Sequence, residues 1–319
     1  MPWIEPGLRR CLREAWGIGA GVRALLVGGG GQHWVAEGGR WFVTVHELPG
    51  EDAYADLAAC MRTARELAEV GLGFVAAPVA ARDGRVVVPL EGYAVSVRAY
   101  LDGVAGDFFD VEAVGDRVGV AGMLAGLHGA TGRVAAPPVR AVGLGARGAL
   151  EEAIGGLRRS WRGGPYAEDA RTVLGRDVRV LREALGRFDA LAAEGGGPRV
   201  VTHGEPHPGN LLRGGAGRWL IDWDTVGMAP PERDLWMTVW PPGAPGRPAL
   251  RAPLDRYREL TGRDVGAAGL ELYRLRWYLN DIAIFTALLR GPHEATADTR
   301  KARDALAASL RVLAAFGPS

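Results

Sequence analysis

The sequence predicts an α+β fold of two lobes, a small β-rich lobe over residues 1–102 and a larger helical lobe over residues 103–319. Short apolar runs separated by glycine and aspartate turns fill most of the first hundred residues, which is typical of strands. Apolar residues at helical spacing fill most of the remainder. A polar, proline-containing segment over residues 200–224 interrupts the helices. A chain of 319 residues is long enough for two hydrophobic cores.

The first lobe is predicted to be a sheet with one inserted helix. Residues 52–70 carry apolar side chains three and four positions apart, which predicts a helix that ends near Gly71. Gly38 and Gly39 join two of the apolar runs, as in a β-hairpin. The runs predicted as strands are residues 24–27, 32–37, 41–47, 75–80, 85–88 and 93–100.

The second lobe is predicted to be helical except for the irregular segment at residues 200–224, which contains short apolar runs at 210–212 and 219–221. A hinge near residues 99–103 joins the two lobes, and a cleft between lobes is the usual place for a ligand. Helices are predicted over residues 111–129, 150–161, 168–194, 232–239, 254–260, 270–289 and 295–316.

Composition and charge exclude several classes of protein. Hydrophobic residues make up 48% and charged residues 24% of the chain, which are ordinary globular values and argue against disorder. No apolar run suits a membrane span, and the N-terminal segment, with Glu5 and Glu14, lacks the apolar core of a secretory signal. Cys11 and Cys60 are too few for a disulfide framework. A net charge of +1 and the lack of a basic stripe argue against nucleic-acid partners, and the lack of an apolar span argues against membrane partners. We therefore expect a cytoplasmic protein, as a monomer or homodimer.

The densest polar cluster is HGEPHPGN at residues 203–210, followed by Asp222-Trp223-Asp224. Pro206 and Pro208 prevent a regular helix, so the backbone must be a loop that fixes its side chains. Asp222 follows an apolar run, which predicts a position at a strand end. A loop with Glu and Asn beside such an Asp can hold Mg²⁺, which prefers a few protein oxygens together with phosphate oxygens and water.

These residues resemble a known family. HGEPHPGN followed by LIDWD is similar to the HGDxxxxN and IDxD signatures of the aminoglycoside phosphotransferase family, and the resemblance extends over nearly the whole chain. It implies a protein-kinase-like fold, ATP or GTP as phosphoryl donor, and Mg²⁺. It also implies that Glu205 takes the place of the catalytic aspartate, which accepts the proton of the attacked hydroxyl, and that His203 braces the loop. Asn210 and Asp222 take the places of the Mg²⁺ ligands, and Asp224 supports Asp222 or the waters of the metal.

The resemblance also implies nucleotide contacts. A glycine run followed by Gln32 matches the loop that covers the phosphates, where missing side chains let backbone N–H groups approach anions. The backbone of Ala99 and Leu101 matches the hinge that holds the purine edge, and Asp234 matches a structural aspartate. Without the resemblance, the glycine run could equally be a flexible turn. Its members are Gly28, Gly29, Gly30 and Gly31.

Two positions depart from the family pattern. The strand lysine that binds phosphates should lie near Thr44, which cannot neutralise them, and the chain has a single lysine, Lys301. His46, on the same strand face by alternation, or an arginine of the helix that carries Arg62 and Arg65, are the open replacements.

The second departure is Glu205. One extra methylene shifts the carboxylate by about 1 Å, which costs on the order of 100-fold in rate unless it is compensated. The loss can be smaller, because phosphoryl transfer through a loose transition state depends more on positioning and charge than on proton abstraction.

Three further residues are candidates for acceptor binding. His207 belongs to the loop itself, while Trp277 and Asp281 are one helical turn apart in the predicted helix 270–289. A packing role for Trp277 and a buried pairing role for Asp281 are the alternatives.

The sequence therefore predicts a nucleotide-dependent O-phosphotransferase that acts on a small hydroxylated molecule, with an antibiotic favoured and resistance by inactivation as its role. Residues 161–319 hold 19 acidic and 22 basic residues, so there is no carboxylate surplus for a polycationic aminoglycoside, and a less cationic antibiotic is equally compatible. A kinase for choline, homoserine or a sugar is the first alternative. A non-catalytic nucleotide-binding protein is the second, suggested by Thr44 and Glu205. A zinc hydrolase is remote, because the prolines between and beside His203 and His207 prevent the helix that such a motif needs.

Overall fold

The computed structural model describes residues 4–19, 21–25, 31–48, 50–108, 110, 112–240 and 249–315. Its first lobe is built on a five-stranded antiparallel sheet in the order β1-β2-β3-β5-β4. A tight 3₁₀ turn with Gly38 and Gly39 at φ 66° and 108° joins β2 to β3, which confirms the predicted hairpin. The strands are β1 Val22–Leu25, β2 Gly31–Ala36, β3 Trp41–Glu47, β4 Val88–Leu90 and β5 Tyr93–Ala99.

Two helices accompany this sheet. Helix α1, Glu5–Trp16, was not predicted; its buried Leu8 and Leu12 share a hydrophobic cluster with strand residues. Helix α2, Glu51–Glu69, is the predicted inserted helix, and Gly71 follows it in the left-handed region at φ 99°.

Several predicted elements differ from the observed ones. The strand predicted at 85–88 is found at Val88–Leu90, and the helix predicted at 150–161 ends at Gly155. The predicted strand at 75–80 makes only isolated bridges, from Val75 to Leu220 and from Pro78 to Arg98, since a proline has no N–H group for a ladder. The predicted helix 168–194 is two helices, because Asp177 leaves the helical region with ψ 13°.

The second lobe is mainly helical. Its helices in the described ranges are α3 Val114–Gly129, α4 Arg147–Gly155, α5 Ala167–Arg176, α6 Val178–Ala193, α7 Glu232–Val239, α8 Ala252–Thr261, α9 Ala267–Arg290 and α10 Ala297–Ala314. None of these described helices, nor those of the first lobe, combines the length and apolar composition needed to cross a bilayer.

Small sheets in the second lobe frame the irregular segment predicted at residues 200–224. One pairs β7 Val200–Thr202 with β10 Gly227–Ala229, and the other places β8 Leu211–Gly214 between β6 Val104–Ala105 and β9 Gly217–Leu220. Because β6 pairs with β8, the chain enters a sheet of the second lobe at Val104.

The two lobes share hydrophobic packing through α2. Cys60, Ala64 and Leu67 of this helix, with Val75 beyond it, belong to the same buried cluster as the helices of the second lobe. Leu220 donates its N–H to the carbonyl of Phe74 at 2.8 Å, which joins the segment after α2 to β9. The first lobe is thus fixed to the second along α2, while the β3 residues Phe42, Thr44 and His46 line an open cleft.

Candidate active site

A cavity of about 670 Å³ lies between the first-lobe sheet and the irregular segment. Its walls come from alternate residues of β3, from residues 96–98 of β5, from residues within 100–108 and from the loop between β7 and β8. Glu205, Asn210 and Asp222, which the sequence places far apart in chain order, all line this one cleft.

A buried carboxylate holds the loop after β7 in place. Asp234 is fully buried and accepts hydrogen bonds from the backbone N–H groups of His203 and Gly204 at 2.8 and 2.6 Å, and it is 3.0 Å from Nε2 of His128. Burial alone would raise the pKa of Asp234, but the hydrogen bond and charge of His128 and the charge of Arg233 lower it. The structural position that the resemblance implied for Asp234 is therefore a tie between α7 and this loop.

His203 links the two halves of the irregular segment. It is fully buried, its Nε2 lies 3.0 Å from the carbonyl oxygen of Ile221, and its ring meets Trp223 edge to face at 4.6 Å. Burial lowers the pKa of His203 to about 4, so the ring is neutral at neutral pH. The neutral Nε2–H then donates to Ile221, which fixes the residue before Asp222 relative to the loop.

Asn210 makes a second link. It lies in a short 3₁₀ turn, Pro208–Asn210, and its backbone carbonyl accepts the N–H of Ile221 at 3.0 Å. Its side-chain Nδ2 donates to the carbonyl of Glu205 at 3.0 Å, which leaves Oδ1 as the atom that can meet a cation.

Three carboxylates gather at this point. Burial and the charge of Asp224 raise the pKa of Glu205 to about 7. Burial, Asp224 and Glu205 also raise the pKa of Asp222, and burial raises that of Asp224. The Asp222 side chain is exposed at the surface of the cleft, and its backbone has a left-handed φ of 65°. Protein atoms still surround the carboxylate at longer range, and this is the burial that raises its pKa. Like charges held this close favour either a proton or a cation.

These residues fit Mg²⁺ better than zinc. The described residues contain no group of three or more His, Cys, Asp or Glu side chains arranged as a metal site. One amide oxygen and one or two carboxylates, completed by phosphate and water, are what Mg²⁺ commonly takes. Asn210 and Asp222 would hold it, with Asp224 hydrogen-bonded to Asp222 rather than lining the cleft.

The sheet face of the cleft carries the residues predicted near the missing lysine. Thr44 and His46 both line it, as strand alternation requires. His46 lies 3.0 Å from Oγ of Ser96, and burial lowers its pKa to about 4, so it supplies no charge at neutral pH. Arg62 is exposed and Arg65 pairs with Glu69 at 2.7 Å, so neither of these open replacements enters the cleft.

The glycine run and Gln32, predicted to cover the phosphates, are only partly described by the structure. Gly28, Gly29 and Gly30 lie outside the described residues, while Gly31 begins β2. Gln32 does not line the cleft, and its Nε2 is buried without a hydrogen-bond partner among the described residues.

At the hinge, Leu101 lines the cleft and Ala99 does not. Ala99 ends β5 opposite Trp41.

On the acceptor side, His207 lines the cleft and Trp277 lies behind it. Trp277 stacks on Phe108 with ring centroids 5.5 Å apart and an interplanar angle of 13°. Burial, and then the charge of Glu205, raises the pKa of Asp281 to about 7, which places Asp281 near the loop carboxylate. Sequence reasoning missed Phe108 and Arg98, both of which line the cleft. Alternation along the predicted strand 93–100 could have found Arg98, but no pattern singles out Phe108.

The architecture is that of kinase-like phosphotransferases. Spectinomycin phosphotransferase APH(9)-Ia in complex with ADP and spectinomycin matches with a TM-score of 0.75 at 15% identity, over 98% of this chain and 97% of that one. The microcompartment-associated aminopropanol kinase matches with a TM-score of 0.61 at 17% identity, over 97% of this chain and 96% of that one. At these identities the likeness concerns the fold, and it confirms the predicted kinase-like fold.

Sequence comparison identifies the family. Protein StrN of Streptomyces griseus is 29% identical over 241 residues, which cover 73% of this chain and 70% of that protein. Residues 26–273 match the model of the phosphotransferase enzyme family. The match spans well over half of the chain, so the protein belongs to this family and is a phosphotransferase. The resemblance stated from the sequence is thereby confirmed.

Proposed function

We propose that this protein transfers the γ-phosphoryl group of ATP or GTP to a hydroxyl of a small molecule. The observation that supports this most directly is that Glu205, Asn210 and Asp222 line one cleft beside a sheet face. APH(9)-Ia was solved with ADP, which supports a nucleotide as donor.

In this reaction the Glu205 carboxylate orients the acceptor hydroxyl and takes its proton as the hydroxyl oxygen attacks the γ-phosphorus. A new O–P bond forms, the bond from the γ-phosphorus to the β,γ-bridging oxygen breaks, and the nucleoside diphosphate leaves. A pKa near 7 suits a group that exchanges a proton near neutral pH. Asp234 and His203 keep the loop in position through the hydrogen bonds described above. When bound at Asn210 and Asp222, Mg²⁺ neutralises charge on the phosphates.

The acceptor that we propose is an antibiotic, and the role is resistance by inactivation. APH(9)-Ia, with which the fold agrees over nearly the full length, was solved with the antibiotic spectinomycin. The acceptor side offers an aromatic wall at Phe108 and Trp277, and the Asp281 carboxylate lies near Glu205. Such a surface suits a hydroxylated ring compound.

A panel assay tests the proposal. Phosphoryl transfer from ATP and from GTP is measured with antibiotics, choline, homoserine and sugars, for the protein and for its Asp222→Asn variant. We expect turnover with at least one antibiotic, lost in the variant, and a raised inhibitory concentration for that drug in a susceptible host that expresses the protein. Turnover with a metabolite alone would favour the metabolite kinase, and Mg²⁺-dependent nucleotide binding without any turnover would favour a non-catalytic protein.

A further inference from the structure

The sheet face above the cleft lacks a lysine but holds an arginine two residue pairs along the β3–β5 ladder from Thr44. In the β3–β5 ladder, Thr44 pairs with Ser96 and Phe42 pairs with Arg98. All four residues line the cleft. Arg98 therefore lies on the same sheet face as Thr44, two pairs closer to the hinge.

Arg98 is the only arginine or lysine among the described residues that line the cleft. The cleft histidines cannot replace it, because burial lowers the pKa of His46 and of His207 to about 4 and also lowers that of His33. Burial lowers the pKa of Arg98 only to about 10, which leaves its guanidinium charged at neutral pH. Lys301, the single lysine, is exposed on α10.

The Arg98 guanidinium is held in place without being neutralised. Its central carbon lies 4.0 Å from the centroid of the Phe42 ring, and one nitrogen donates to the Ala99 carbonyl at 3.3 Å. Within the described ranges no carboxylate forms an ion pair with it. Asp222 is near enough to stabilise the charge of Arg98, so the guanidinium lies within electrostatic range of the predicted Mg²⁺ ligand. A guanidinium has five N–H donors, and most of these remain for a ligand.

Among the described side chains, the neighbouring helix α2 offers the cleft no glutamate. Kinases commonly pair the strand lysine with a glutamate of the adjacent helix. Here the α2 residue that lines the cleft is Met61. Among the described side chains, the cleft therefore has neither the strand lysine nor a glutamate from α2, which is consistent with a phosphate contact on another strand.

We propose that Arg98 binds the phosphates of the nucleotide and supplies the positive charge that a lysine at the position of Thr44 would otherwise give. This inference rests on the proposed function, because it takes a nucleoside triphosphate as the ligand. It makes Arg98 a binding residue for the donor, with Phe42 and the Ala99 carbonyl as its supports.

A series of ligands with increasing phosphate number tests this role. Dissociation constants for adenosine, AMP, ADP and AMP-PNP are measured with Mg²⁺ by calorimetry for the protein and for Arg98→Met. If Arg98 contacts phosphates, the variant binds AMP-PNP about 10-fold or more weakly and adenosine nearly as well as the wild type. Arg98→Lys keeps a charge and is expected to recover part of the lost affinity for AMP-PNP.

The matched control is Arg40→Met, which removes an exposed arginine that also lies over an aromatic ring, Trp41, at 5.0 Å. It should leave all four affinities unchanged. If Arg98→Met does not fold, as judged by thermal unfolding, Arg98→Gln replaces it.

Two results would overturn the assignment. Equal losses for adenosine and AMP-PNP would mean that Arg98 contacts the base or ribose, and unchanged affinities would mean that it contacts neither. A wild-type protein that binds none of the nucleotides, including GDP and a GTP analogue, would instead overturn the proposed function itself.

Discussion

Glu205 interacts electrostatically with carboxylates on both sides of the cleft. It raises the pKa of Asp222, which lies on the proposed nucleotide side. It also raises the pKa of Asp281 of α9, which lies on the proposed acceptor side. A residue between donor and acceptor is where the proposed reaction needs a catalytic carboxylate.

Glu205→Gln is expected to lower kcat by about 100-fold or more, because the amide keeps the shape of the side chain but cannot accept the hydroxyl proton. The KM for the nucleotide should change little. Steady-state kinetics with the acceptor identified by the panel assay measure both constants. Glu183→Gln, on the exposed side of α6, is the control. An unchanged kcat would mean that another group, with Asp281 the nearest candidate, takes the proton.

Asp281 gives a prediction about pH and stability. Its pKa of about 7 is above that of an ordinary aspartate, so the folded state binds its proton more tightly than the unfolded state does. The folding free energy therefore becomes less favourable as pH rises from about 4 through 7, where the folded protein must give up this proton.

Asp281→Asn removes that dependence. We expect the variant to match the wild type near pH 4 and to exceed its unfolding free energy at pH 8 by on the order of 2 kcal/mol, allowing for partial access of water. Urea unfolding at both pH values, without nucleotide or metal, measures the difference. Asp264→Asn, at an exposed position, should behave as the wild type at both. An equal pH slope in wild type and Asp281→Asn would contradict the prediction.

At the scale of elements, the loop after β7 depends on one backbone conformation. Gly204 has φ 103°, and a Cβ atom there would collide with the guanidinium of Arg233. That guanidinium donates to Oγ1 of Thr202 and to the carbonyl of Thr225, so it cannot move without breaking both bonds.

Gly204→Ala is expected to destabilise the protein by well over 1 kcal/mol and to abolish activity, because left-handed strain and a buried collision act together. Gly132→Ala is the matched control. Gly132 has φ 85°, and nothing lies within 4 Å of the position of its Cβ, so that variant isolates the backbone strain, about 1 kcal/mol. Urea unfolding of the two variants separates the terms. Equal destabilisation would mean that Arg233 yields without loss.

The elements with strong periodicity were predictable, and those fixed by tertiary contacts were not. The helix over 52–70 and the hairpin at Gly38 and Gly39 were predicted within a few residues, since their signals are local. Residues 75–80 have an apolar strand pattern, but Pro78 and their contacts with β9 keep them irregular. Helix α1 could also have been predicted from local signals. It has apolar residues at helical spacing and Pro6 in its first turn, a position that proline tolerates.

At the scale of the molecule, the sequence assigned α2 to the first lobe but could not say where its buried face would pack. Cys60, Ala64 and Leu67 lie in the core of the second lobe. Periodicity predicts a buried face, while the partner of that face depends on residues more than a hundred positions away. The motif spacing predicted that Asn210 and Asp222 would meet, but the charge contributed by Arg98 depends on the pairing of β3 with β5.

Binding of Mg²⁺ and nucleotide at Asp222 should stabilise the folded protein. In the ligand-free protein, the same carboxylate should lower the stability of the fold. Without ligand, Asp222 has a left-handed backbone and lies beside Glu205 and Asp224, which repel its charge. Asp222→Asn removes the repulsion, and asparagine tolerates this backbone conformation at least as well. The ligand-free variant should therefore unfold at a higher temperature than the ligand-free wild type. Mg²⁺ with AMP-PNP should raise the Tm of the wild type, as ligand linkage requires, and leave that of the variant nearly unchanged.

Thermal unfolding with AMP-PNP alone, with Mg²⁺ alone and with both separates these effects. Asp255→Asn, exposed on α8, serves as the control and should respond to the ligands as the wild type does. If Asp222→Asn kept the full Mg²⁺-dependent rise in Tm, the metal would not be bound through Asp222. A lower Tm in the ligand-free variant would mean that repulsion among the three carboxylates does not destabilise the folded protein. The variant is thus expected to gain stability without ligand and to lose the Mg²⁺-dependent rise in Tm. This combination is characteristic of a site that holds like charges close together to bind a cation.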